Sequence, residues 1–108
     1  MIEKNYKYSI LDEKIIEKIV DDENIHLNHM ILVKNTGLPE HYSNSNVYMI
    51  IVRGTMTIKL NNQEPLDYAT GDILNIPYNT KMNVNNLYDE ILEFFVVKAP
   101  NPKDYRSE

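Results

Sequence analysis

His41 is the side chain best equipped to do chemistry in this chain. An imidazole can take or give a proton near neutral pH, anchor a polar ligand group or ligate a metal. Its surroundings narrow that choice. No histidine follows it, and no carboxylate lies between Glu40 and Glu64. A divalent ion needs several imidazoles or carboxylates converging on one point, so ligands are in short supply here. The chain has no cysteine, which excludes disulfides, zinc–thiolate sites and cysteine nucleophiles.

The other histidines, His26 and His29, lie on one apolar run, Ile25 to Val33. His29 shares strand phase with Ile31 and Val33, and His26 with Asn28, Met30 and Leu32, so only one of the two points inward. The less polar surroundings favour His29. It could then flank a ligand together with His41, or complete a soft set with Met49 and Met82 of the kind that suits Cu(I). Methionines in a β core are more commonly packing, however. Glu93 interrupts the apolar run Leu92 to Val97. Such a carboxylate sits at an exposed edge or is buried with a partner, and the edge is expected. If buried, it could orient His41 as a metal-free acid–base pair. Glu40 and Tyr42 adjoin His41 in sequence and therefore point to the opposite face of a regular strand. Tyr42, Tyr48, Tyr68, Tyr78 and Tyr88 are expected at rims and interfaces.

The elements that must position these groups are short apolar runs separated by turn residues, the rhythm of an all-β sandwich or barrel. Lys14 to Val20 fits a helix or a strand; the turn cluster Asp21-Asp22-Glu23-Asn24 before the next strand favours a hairpin. Further strands are predicted over Val47 to Val52, Met56 to Leu60, Ile73 to Ile76, Lys81 to Val84 and Ile91 to Val97. Asn61-Asn62 and Asn85-Asn86 are read as turns, since asparagine tolerates positive φ. Two runs, Val47 to Val52 and Leu92 to Val97, are apolar in both phases and need cover on both faces. A terminal segment or a second subunit could supply it; a homodimer with Tyr48, Ile50 and Val52 near the contact is expected. The polar termini, Asn5 to Tyr8 and Lys103 to Arg106, are expected at the periphery.

From Gly37 to Gly54 and from Gly71 to Met82 the chain resembles the cupin superfamily, small β-barrels marked by two short motifs. In the first family motif, glycine, His-x-His, glutamate and glycine follow at set spacing. Here Asn35 stands in the first glycine position, His41 and Ser43 in the two histidine positions, Val47 in the glutamate position, and Gly54 closes the motif. In the second, Gly71, Asp72 and Pro77 match, Asn79 takes the inner glycine, Met82 the histidine and Asn86 the final asparagine. Gly54 and Gly71 fall where strands turn, and asparagine is the next-best residue for such positions. The resemblance implies a double-stranded β-helix (jelly-roll) with its core over about residues 25–100 and peripheral termini, the whole of 1–108 forming one domain. It also implies a barrel-centred metal, but only His41 of the expected ligands is retained. No metal or other cofactor is expected; an atypical ion would have to use His41 and His29.

The net charge of −5 and only two arginines, Arg53 and Arg106, argue against nucleic acid as a partner. No apolar run reaches membrane-spanning length, and the amino terminus lacks a secretory core, so a cytoplasmic protein without a membrane partner is expected. The leading functional expectation is a small organic molecule bound inside the barrel, with His29, His41 and Ser43 as polar contacts and Val47, Met49 and Met82 as walls. The alternative is a small enzyme with His41 as catalytic base, metal-free and isomerase- or epimerase-like, or using an atypical metal through His29 and His41. A barrel filled by its own side chains is a third possibility.

Overall fold

A computed structural model of the chain describes residues 1–105; Arg106, expected at the periphery, lies outside the described residues. Ten strands follow in order: β1 Ile15–Asp21, β2 His26–Leu32, β3 Thr36–Gly37, β4 His41–Tyr42, β5 Val47–Arg53, β6 Thr55–Leu60, β7 Leu66–Ala69, β8 Ile73–Ile76, β9 Lys81–Asn86 and β10 Leu92–Lys98. Among the described residues, one 3-10 turn, Pro102–Asp104, comes after them. One sheet runs β1-β2-β10-β5-β8. The other runs β3-β9-β6-β7, with β4 also paired to β9.

The ambiguous segment after Lys14 is indeed the first arm of an antiparallel hairpin with β2. Its turn is held by Asp22, whose Oδ1 accepts from the backbone N–H of Asn24 at 2.8 Å and Ile25 at 3.0 Å. Those two donors, that of Ile25 foremost, hold the Asp22 carboxyl below its ordinary range. Asn35, Asn61 and Asn79 take φ of 61°, 52° and 63°, as expected of turn asparagines. At Gly54, φ is 84° and a Cβ would meet the Ile91 carbonyl, so both backbone angle and space demand glycine there.

Asn85-Asn86 is not a turn. Both residues lie in β9, where Asn85 pairs with Gly37 and Thr57. The Asn86 amide is buried and donates to the carbonyls of Leu32 and Glu90, each at 2.9 Å, while its Oδ1 accepts from Tyr88 N. It thus ties the following loop to β2, a structural use that composition alone does not separate from a turn signal. The short strands β3, β4 and β7 were not legible because they are two to four residues long.

Alternation explains the core. Met30 and Leu32 of β2, Val47, Met49 and Ile51 of β5, Met56 and Ile58 of β6, Ile76 of β8, Met82 and Val84 of β9, and Leu92, Phe94 and Val96 of β10 form one cluster between the sheets. The opposite phases of β5 and β10 put Tyr48, Ile50, Val52, Phe95 and Val97 on the outer face. Part of that face is covered by residues that precede β1. Tyr8 packs edge-on against Phe95 with ring centroids 5.0 Å apart and against His29 at 4.7 Å. Among the described residues, no helix is long and apolar enough to cross a membrane.

Candidate functional site

At one end of the space between the sheets lies a cavity of about 40 Å³. Met30, Leu38, Val47, Met49, Met82 and Val96 form its apolar wall, and Asn28, His41, Ser43, Asn44 and Lys98 its polar rim. Four of the longer strands contribute through their inward phase. β2 supplies Asn28 and Met30, β5 Val47 and Met49, β9 Met82, and β10 Val96 and Lys98.

His41 reaches the rim from β4, directly across from Met82. It is exposed, because β4 is only two residues long and lies at the cavity lip. Its Nδ1 lies 2.8 Å from the Pro39 carbonyl oxygen. A carbonyl only accepts, so Nδ1 carries the hydrogen and Nε2 of the neutral ring keeps a lone pair. Ser43 is buried and largely committed. Its hydroxyl donates to Pro77 O at 2.6 Å and accepts from Thr80 N at 2.8 Å, fastening β4 to the turn before β9. Of the six residues expected to contact a ligand, His41, Ser43, Val47, Met49 and Met82 come together here.

His29 does not join them, and the expectation that it faces the interior is corrected. The inward phase of β2 belongs to Met30 and Leu32, and therefore to Asn28 and His26. His29 is nevertheless fully buried, on the outer face beneath Tyr8. Hydrophobic neighbours were a poor guide because both faces of this strand are covered. With the two histidines on opposite faces, neither a shared ligand nor a His29–His41 metal site, soft or hard, can form.

Glu93 also departs from expectation. It is in the central strand β10, not at an edge, and its imidazole partner is His29, not His41. His29 Nε2 lies 2.6 Å from Glu93 Oε2, and Nδ1 lies 2.7 Å from Glu17 Oε2. A neutral imidazole has one N–H, so both contacts are hydrogen bonds only when the trio carries one further proton. Ser9 completes the cluster by donating its backbone N–H to Glu17 at 2.9 Å and its hydroxyl at 3.0 Å. The Ser9 N–H, ahead of His29, holds the Glu17 carboxyl below its ordinary range against the opposing effect of burial. Arg53 Nε sits 3.2 Å from Glu93 Oε1, an ion pair whose N–H is not aimed for a hydrogen bond. Its Nη1 binds Asp12 at 2.7 Å.

Three rim residues, Asn28, Asn44 and Lys98, escaped the sequence reading. Asn28 and Lys98 follow from the phase that buries Met30 and Val96, and counting outward from those cores would have found them. Lys98 is half-buried, and burial lowers its pKa. Across the strand pair stands His26, whose Nε2 is buried without a hydrogen-bond partner. Burial first, and then the Lys98 charge, lower the His26 pKa.

The metal implied by the family finds no matching donors. The four corresponding positions hold an exposed imidazole, a serine hydroxyl engaged with Pro77, a valine and a thioether. Among the described residues, no group of three or more His, Asp or Glu side chains is arranged to hold an ion.

No family model matches the chain. An uncharacterized protein of Methanocaldococcus jannaschii, MJ0764, is 47% identical over 104 residues, which span 95% of this chain and 90% of that protein. The crystal structure of MJ0764, described as an RmlC-like cupin family protein with a double-stranded β-helix fold, superposes with a TM-score of 0.92 at 95% coverage of both chains. More distant structures share the fold alone. TT1209 of Thermus thermophilus is 16% identical with a TM-score of 0.75, over 94% of this chain and 100% of that one. A cupin superfamily protein of Desulfitobacterium hafniense is 10% identical with a TM-score of 0.73, over 87% and 84%.

Proposed function

The chain belongs to the RmlC-like cupin family, and from that premise we propose that it holds a small organic molecule in the cavity beside His41. The observation that carries this reading is the cavity's composition: an apolar wall of three methionines, two valines and a leucine behind a polar rim. Apolar walls supply affinity, and a few placed polar groups supply orientation. At about 40 Å³ the space is far smaller than the roughly 300–1,000 Å³ of clefts for drug-sized ligands, so the occupant has few non-hydrogen atoms. Methionine side chains re-pack easily, which lets such a cavity adapt to its guest.

Binding to the folded state alone raises stability by RT ln(1 + [L]/Kd), about 2.7 kcal/mol at a hundredfold excess over Kd. Small alcohols, amides and acids are therefore expected to include compounds that raise the melting temperature by several degrees. Leu38→Trp, which fills the lip of the cavity, should abolish the rise. If no compound moves the transition at its solubility limit, the reading is wrong.

A second copy of the chain is proposed as the cover for the rest of the outer face. The segment before β1 roofs only the part over β2 and β10, leaving Tyr48 at 38%, Val52 at 42% and Ile73 at 63% exposure on β5 and β8. An apolar stripe of this kind marks an association surface. Light scattering at micromolar concentration should give twice the chain's mass, and Ile50→Lys should halve it. A monomeric wild-type mass would discard the dimer.

A further inference from the structure

We propose that the ligand of this cavity is a small monocarboxylate, its anionic end paired with Lys98 and its apolar end lying against Met30, Met49 and Val96. The proposal rests on the small-molecule reading above and specifies the chemistry of that molecule.

Lys98 occupies an unusual position for a lysine. It is the last residue of β10 and continues the inward phase of Phe94 and Val96, so its stem runs along the cavity wall. Lys18, Lys34 and Arg53 meet carboxylates at Asp21, Asp89, and Asp12 and Glu93; Lys98 differs from the other unpaired lysines in lining a cavity while partly buried. Among the described residues no carboxylate is paired with Lys98; Asp21, in the same cross-strand row beyond His26, is bound to Asn101 at 2.6 Å and paired with Lys18. Its cross-strand neighbours are His26 on β2 and Val47 on β5, and the other rim residues are Asn28, His41, Ser43 and Asn44. A half-buried ammonium without a counter-ion is costly, and the cost disappears when a ligand brings the anion.

The neighbouring groups set the rest of the specificity. Asn28 and Asn44 offer amide hydrogens to a carboxylate oxygen, and no rim residue is acidic. The His26 ring stands opposite Lys98 with Nε2 buried and unpartnered, and its lowered pKa keeps it from adding a second full charge. One cation suits one negative charge, which favours a monocarboxylate over a phosphate or a dicarboxylate. The methionine and valine wall then suits a short alkyl or similarly apolar remainder.

The test compares isosteric probes on the full chain: butyrate against butyramide, with inorganic phosphate as a third arm. Binding is read by melting temperature and by amide chemical-shift changes at Met30, Met49, Val96 and Lys98. Butyrate should bind with Kd on the order of millimolar, as befits so few atoms. Butyramide should bind about 10- to 100-fold more weakly, the span expected when a charged hydrogen bond is lost. Lys98→Met should reduce butyrate to the butyramide level, while Lys103→Met should not. Equal binding of acid and amide at these residues would overturn the carboxylate assignment and leave the small-molecule reading standing. Tighter phosphate than butyrate would overturn the assignment too. Shifts at the cavity with neither organic probe, set beside a panel that also fails, would remove both readings.

Discussion

Replacing His29 with leucine is expected to destabilise the fold by about 3–5 kcal/mol, the usual cost of removing one member of a buried charged cluster. Leucine preserves much of the ring's volume under Tyr8, so lost packing is not the main effect. What remains is two carboxylates, Glu17 and Glu93, facing a site from which both of their hydrogen bonds have gone. Glu93 keeps Arg53 at 3.2 Å and Glu17 keeps Ser9, which limits the damage without cancelling it. Urea denaturation measures the loss directly. The triple variant Glu17→Gln, His29→Leu, Glu93→Gln should recover a large part of it, because the two acids no longer confront one another. A loss below about 1 kcal/mol for the single variant would place the network among surface ion pairs, which contribute little.

The second large effect is expected at Phe94. Its side chain is fully buried, and it stands between Met30 on β2 and Ile51 on β5 at the centre of the larger sheet. Phe94→Ala should cost about 3–5 kcal/mol through lost transfer energy and the cavity left behind. For a domain of this size that lowers the melting temperature by more than about 12 °C. Phe95→Ala, one position along, is the control. Phe95 is only partly buried beneath Tyr8, so its loss should be clearly smaller. Equal losses at the two positions would mean that the inner and outer faces of β10 are not energetically distinct.

The adjacency of Phe94 and Phe95 also shows what a sequence can and cannot disclose. Period-two alternation reveals strands and their cores wherever one face meets water, and turn residues bound the rest, so the boundaries of β1, β5, β6 and β8 were legible to within a residue or two. The turn chemistry of Asn35, Gly54 and Gly71 added the family resemblance. Alternation loses its power where both faces are covered. In β2 and β10 it could not say whether His26 or His29 turned inward, nor that Glu93 would find a histidine across the strand pair. That partnership pairs residues 64 positions apart, and no local pattern encodes it. Lys98 was overlooked for a different reason. A lysine at a strand end reads as a solvent-facing terminus, although its phase with Val96 places it on the interior face. Ser43 was legible as a position but not as a role, since its hydroxyl is consumed by Pro77 and Thr80 from a turn more than thirty residues away.

The stretch from Tyr8 to Asp12 has no regular structure, yet it is fastened at both ends, by Ser9 to Glu17 and by Asp12 to Arg53. It works as a buckled belt over β2 and β10, and its two clasps are polar while its underside is aromatic. Loosening either clasp therefore opens a path for water to the acid–imidazole trio beneath.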